Sequence, residues 1–176
     1  FPILMVSNVN IEGEGVDITI INREAVGGDV FSFYNCINNM LSQFTVTSFG
    51  EFSGDGRAIY ATNSKNLLLT YLDISNIEVH QGAIYIEEVN NVILDNIHIY
   101  GITSAICGPL YYSCPSVLCT EPLVLNNVII ENNISNQDGA GGCINGDAIL
   151  TNISILGNSA SMNPGLSLGY DSNYEI

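Results

Sequence analysis

The stretch from Gly82 to Ile99, GAIYIEEVNNVILDNIHI, recurs along the chain. Twenty-five residues earlier, Ala58-Ile59-Tyr60, Leu67, Leu69, Leu72 and Ile74 stand where Ala83-Ile84-Tyr85, Val92, Leu94, Ile97 and Ile99 stand here. The pattern returns as Leu123, Leu125, Val128 and Ile130, and again as Ala148, Leu150, Ile153 and Ile155. A repeat of this length is one supersecondary unit. It cannot bury its apolar face alone, so the copies must stack on one another.

The kind of stacking follows from the period within each copy. Apolar residues alternate with period two over runs of only three to six residues, and Asn, Gly, Asp and Ser separate the runs. That is the strand signal, and no stretch carries a helical period. Aliphatic pairs at Val9/Ile11, Phe44/Val46, Leu72/Ile74, Ile97/Ile99, Val128/Ile130 and Ile153/Ile155 mark the copies, at offsets of 35, 28, 25, 31 and 25 residues. A second anchor runs through Phe31, Ile59, Ile84, Leu110, Ile144 and Leu166. The pattern predicts an all-β chain: a right-handed parallel β-helix, a solenoid of about six coils standing roughly 29 Å tall. Residues 1–176 read as a single β-helix segment, with residues 101–121 as a Cys-containing insertion loop. The chain opens and stops in mid-repeat, without the polar caps that repeat arrays need, so a segment of a longer protein is expected.

Charge excludes some partners. The chain carries 18 acidic residues against 3 basic ones, Arg23, Arg57 and Lys65, a formal charge of -15. Such a surface repels phosphate, so neither nucleic acid nor an anionic membrane is an expected partner. No apolar run approaches the roughly 20 residues of a membrane span, so no membrane insertion is expected.

Asn8, Asn96, Asn127 and Asn152 fall at one phase, just before the anchor strand. Stacked asparagines in a turn satisfy one another's amides from coil to coil, so these four read as a structural ladder. Asn133 and Asn158 form a shorter second column. The chain also has GGCI at 141–144, GAI at 82–84 and, more loosely, GGDVF at 27–31. Ile130 leads to Asn133, and Ile155 leads to Asn158-Ser159-Ala160, at the spacing of an FxxN step. From about residue 27 onward these motifs resemble the GGAI and FxxN repeats of the chlamydial polymorphic outer-membrane proteins, which also recur in protist surface proteins. The resemblance implies a β-helical passenger or scaffold, extracellular or on the cell surface, used for adhesion. It implies no catalytic residues.

Five cysteines occur, without CxxC or His-spaced ligand sets, so no metal site is expected. In an extracellular setting they suggest disulfides. Cys107 and Cys143 flank the GAI step of consecutive coils, and Cys114 and Cys119 can close the small loop between them. Cys36 is then left over. Free buried thiols are the alternative. Two glycosylation sequons are present, Asn133-Ile134-Ser135 and Asn152-Ile153-Ser154. An inward ladder asparagine cannot carry a glycan. Asn152 is therefore expected bare, and Asn133 is the better candidate.

Enzymatic features are few. His98 lies 25 residues after Asp73, which puts the two side by side on adjacent coils, facing outward. A carboxylate beside an imidazole begins an acid–base pair, but nothing nucleophilic shares its phase. Polysaccharide-active β-helices of the pectate lyase and polygalacturonase kind need clustered acids in a groove, and here the acids scatter. No cofactor is expected. Turn acids such as Asp55 and Asp138 leave room for weak Ca²⁺ binding. A glycan-binding reading needs exposed aromatics in a line, and only Tyr60 and Tyr85 stack at repeat spacing.

One outward column is apolar. Between the inward residues of each copy stand Leu68, Ile93, Val124 and Ile149, and the repeat offsets extend the column back to Met40 and Met5. A solvated sheet face alternates with polar residues, so a continuous apolar stripe marks a packing surface. Either the chain's own loops cover it or a partner does. The expected function is an extracellular structural or adhesive scaffold that packs against other protein subunits or a flanking domain, with glycans as a second class of partner. The alternative is a polysaccharide-active enzyme.

Overall fold

The computed structural model describes residues 2–23, 28–48, 56–115, 118–169 and 172–175. Among the described residues all regular structure is strand, and every strand pairing is parallel. Three parallel sheets wind into a β-solenoid of about six turns. The short-strand sheet has seven strands: Ile3–Leu4, Phe31–Tyr34, Ile59–Thr62, Ile84–Glu87, Leu110–Ser113, Gly142–Asn145 and Leu166–Leu168. The long-strand sheet runs through Asn10–Glu12, Ile37–Ser48, Lys65–Ser75, Asn90–Tyr100, Leu123–Glu131, Ala148–Leu156 and Tyr174–Glu175, with Ile20–Arg23 beside Ile37–Ser48. Four two-residue strands, Glu78–Val79, Thr103–Ser104, Ile134–Ser135 and Ser159–Ala160, make the third sheet.

The long strands explain the period of the sequence. In Lys65–Ser75, Leu67 and Leu69 point inward, then Leu72 and Ile74 do. The step from 69 to 72 breaks the alternation because Tyr71 between them adopts a left-handed backbone, φ 51°. Gln43, Asn96, Asn127 and Asn152 do the same at the equivalent position, with φ between 53° and 61°. One left-handed residue turns the chain through a corner, and asparagine tolerates that conformation better than other side chains. The inward residues of both arms stack in register: Phe44, Leu72, Ile97, Val128 and Ile153 form one column. Phe31, Phe33, Phe44, Leu69, Ile84 and Ile86 are fully buried at the centre.

Asparagine ladders close the corners. Asn38 donates to Asn8 Oδ1 at 3.0 Å, Asn66 to Asn38 at 2.7 Å and Asn91 to Asn66 at 2.9 Å. Asn8 thus belongs to this corner and not to that of Asn96, Asn127 and Asn152, which corrects the expected single ladder. In the latter, Asn152 donates to Asn127 Oδ1 at 3.0 Å, while Asn96 turns to Asp95 at 2.8 Å.

The first coil also departs from the expected register. Asn10 pairs with Met40 and Ile11 with Leu41, whereas Ile20 pairs with Thr45 and Ile21 with Val46. Residues 13–19 bulge out between those two pairings. The offset of 35 read at Val9 therefore does not hold, and Met5 falls out of the outward column. Met5 is 7% exposed and packs in the core. In the short-strand sheet Gly142, not Ile144, sits over Leu110's partner position, because Tyr111 pairs with Cys143 and Tyr112 with Ile144. Residues 101–121 are not one insertion: they supply Thr103–Ser104 and Leu110–Ser113 to two sheets.

Two disulfides are formed, Cys107–Cys143 and Cys114–Cys119, each with Cα atoms 5.9 Å apart. Cys36 is the buried free thiol, donating to Met5 O at 3.2 Å. The two bridges fit an oxidising, extracytoplasmic setting.

Candidate functional site

Three outward features rise from this frame. The first is the apolar column. Met40, Leu68, Ile93, Val124 and Ile149 are successive partners across the long-strand sheet. Each is half-buried between its neighbours above and below. Asn10 stands where Met5 was expected, and Glu175 pairs with Ile149 at the other end, so the stripe has polar ends. Two residues along, the parallel outward column is polar: Ser42, Thr70, Asp95, Asn126 and Thr151. Asn126 donates to Asp95 Oδ1 there at 2.7 Å. The loop after Cys114 reaches a different place. Thr120 N and Glu121 N donate to Asn90 Oδ1, and Cys119 Sγ lies 3.4 Å from Val89 O, at the edge of the sheet.

The second feature lies on the other arm of the same strands. Asp73 and His98 are direct cross-strand partners. His98 Nε2 is 3.0 Å from Glu131 Oε1, and the Tyr100 ring lies 4.5 Å from the imidazole. Glu131 and Tyr100 were not legible beside His98, because Glu131 sits two residues along the next coil, on a diagonal. Asp73 is pushed above the usual carboxylate range, first by burial, with His98 opposing and Asp17 adding to the rise. Asp73 also lines an open cleft of about 480 Å³ together with Gly15, Val16, Gln43, Tyr71 and Asn96. The bulge at 13–19 forms one wall. Gly13 N donates to Ser42 O at 2.8 Å, Gly15 N to Gln43 O at 3.0 Å, and Thr45 Oγ1 to Val16 O at 2.6 Å.

The third is an aromatic column on the short-strand sheet. Tyr60, Tyr85 and Tyr111 are successive partners, with ring centroids 5.4 and 4.6 Å apart, and Tyr34 leans on Tyr60 at 5.3 Å. Arg57 covers the rings of Tyr60 and Tyr85 at 4.9 and 4.5 Å and pairs with Asp29 at 3.6 Å. Burial first, then Glu87 and Tyr111, push Tyr85 up to about 12. The line of aromatics is longer than the two tyrosines at repeat spacing. Tyr60, Tyr85 and Tyr111 stack on one another, so the faces between them are occupied.

The other expected sites fall as follows. Asn133 is 0% exposed, with Oδ1 accepting Ile102 N at 2.9 Å and Nδ2 donating to Asn158 Oδ1 at 2.9 Å. A glycan has no room there, which corrects the expectation for Asn133. Asn152 is exposed instead. Asp138 is held in the fold, accepting from Gly139 N at 2.8 Å and Ser167 at 3.0 Å. Asp55 lies outside the described residues. No group of three or more His, Cys, Asp or Glu able to hold a metal ion is found among the described residues. Compared with known proteins, the chain matches no family model, no curated protein and no solved structure.

Proposed function

We propose that this chain is a stiff extracellular scaffold that docks onto other protein subunits through Met40, Leu68, Ile93, Val124 and Ile149. The observation that carries the reading is the register of these five side chains on an outward sheet face. On such a face polar residues are the rule, as in the neighbouring column. A stiff rod is suited to presentation: its spacing is set by backbone ladders and not by a ligand. The resemblance of GGCI at 141–144 and GAI at 82–84 to repeats of polymorphic outer-membrane proteins supports a surface-exposed, adhesive role. The disulfides support a place outside the reducing cytosol.

Light scattering on the wild type and on Ile93→Asp tests the proposal, with and without about 5 mM Ca²⁺, an excess over weak extracellular sites. Assembly of the wild type, lost in Ile93→Asp at unchanged melting temperature, is the expected result. A monomer that Ile93→Asp leaves untouched in both stability and state sinks it.

A second reading, a polysaccharide-active enzyme, is favoured by one observation: His98 held between Asp73 and Glu131 beside a cleft. Two carboxylates around an imidazole supply proton donors and acceptors. Release of reducing ends from neutral and acidic polysaccharides, abolished by His98→Ala, is its test.

A further inference from the structure

The corner residue Tyr71 is the anomaly of the surface. Four of the five equivalent positions carry Gln43, Asn96, Asn127 and Asn152, all amide side chains in the left-handed region. Tyr71 takes the same conformation, φ 51°, with no amide to favour it. A bulky residue held there stores strain of order 1 kcal/mol. The ring does not recover that cost by packing, since Tyr71 is 55% exposed. A strained, solvent-facing aromatic on the rim of a cleft is a placement that internal stability does not explain.

The rest of the cleft has a consistent chemistry. Gln43 and Asn96 flank Tyr71 on the coils before and after it, and Asp73 stands two residues along the same strand. These groups are planar, with donors and acceptors in one plane. The cleft, about 480 Å³, lies within the roughly 300–1,000 Å³ of small-molecule sites.

We propose that this cleft binds a neutral saccharide residue, stacked on the face of Tyr71 and hydrogen-bonded through its hydroxyls to Gln43, Asn96 and Asp73. A pyranose presents axial C–H groups on its faces and hydroxyls around its rim. An aromatic face and a ring of planar polar groups match both. Acidic sugars are disfavoured by Asp73 and by Asp17 close to it. A cationic ligand is a poorer match. Among the described residues Asp73 is the one carboxylate lining the cleft, and the nearby Glu12 and Asp95 are already held by the Gln43 and Asn96 amides. The site spans the corner and the second arm of the strands and shares no residue with the apolar column, so it stands whether or not that column docks a subunit.

Isothermal titration calorimetry is the test. The ligands are cello-, xylo-, manno-, malto- and chito-oligosaccharides, with oligogalacturonate and an oligoarginine peptide as controls. The key variant is Tyr71→Asn, which installs the residue that Asn96, Asn127 and Asn152 already place at this corner, so the fold is kept. Asn96→Gly, also compatible with the left-handed backbone, is the second variant. The expected result is binding of at least one neutral oligosaccharide, weakened at least about tenfold, or 1.4 kcal/mol, in Tyr71→Asn and measurably in Asn96→Gly. No binding of any neutral oligosaccharide up to about 10 mM overturns the proposal, a limit equivalent to less than about 3 kcal/mol of affinity. Equal binding by Tyr71→Asn overturns it, as does binding of oligogalacturonate or the arginine peptide in place of neutral sugar.

Discussion

Asn133 and Asn158, 25 residues apart, are joined twice through one oxygen: Asn158 Oδ1 accepts both the side-chain and the backbone N–H of Asn133 at 2.9 Å. Asn158 in turn donates to Ile130 O at 2.9 Å, and Asn133 donates to Ile99 O at 3.3 Å. The pair links three coils at a buried corner where water cannot substitute. Replacing Asn133 by Ala leaves Ile102 N without its acceptor. The expected cost is about 3 kcal/mol, or about 8 °C in melting temperature. A shift under about 1 °C in calorimetry would show that the network contributes nothing net.

The same burial decides glycosylation. In a eukaryotic secretory host both sequons meet the transferase before folding, but a chain modified at Asn133 cannot close its core. Secreted protein is expected to carry its glycan at Asn152 alone. Peptide mapping after enzymatic deglycosylation reads this directly, and a glycan at Asn133 in folded, secreted material contradicts the buried network.

The two disulfides differ in what they constrain. Cys107–Cys143 closes a separation of 36 residues and Cys114–Cys119 one of 5. Loop-closure entropy assigns about 4 kcal/mol to the first and about 2 kcal/mol to the second. Cys107→Ser with Cys143→Ser should lower the denaturation midpoint about twice as far as Cys114→Ser with Cys119→Ser. Mass spectrometry without reduction should find a single alkylatable thiol, Cys36, and only after unfolding.

Alkaline stability follows from the tyrosines. Burial pushes Tyr112 up to about 12, with Asp147 adding to the rise, and Tyr85 reaches about 12 as well. The unfolded chain releases these protons near pH 10. Folded stability is therefore complete below about pH 10 and declines as pH rises from there towards 12, where the folded protein holds protons that the unfolded one has lost. Tyr112→Phe should flatten the decline. Denaturant midpoints measured between pH 8 and 11.5 give the slope, and a slope unchanged by Tyr112→Phe would contradict the assignment.

The repeat made the solenoid legible because its inward residues obey one rule from Phe44 to Ile155. The same rule placed Leu68, Ile93, Val124 and Ile149 in one column and brought Asp73 to His98. It failed where the chain leaves its repeat. The bulge at 13–19 shifted the first coil, so Met5 was read into a column where Asn10 stands. Asparagine also serves two different corners of the solenoid with the same left-handed geometry, and spacing alone assigned Asn8 to the wrong one. Glu131 escaped notice because side chains on a twisted sheet also meet on diagonals, whereas spacing compares only direct partners. Nothing in the spacing singles out Tyr71. Its left-handed backbone is visible only once its column is known to be a corner.

The left-handed corners have an evolutionary consequence. Each coil is closed by a side-chain ladder to its neighbours, not by a fixed number of residues. Coil partners accordingly lie 25, 28, 30 or 31 residues apart without disturbing the core columns. Extra sequence can be spliced in at a corner and will emerge on the outside, as residues 13–19 do. Such a chain can acquire new surface loops one at a time while its interior stays in register.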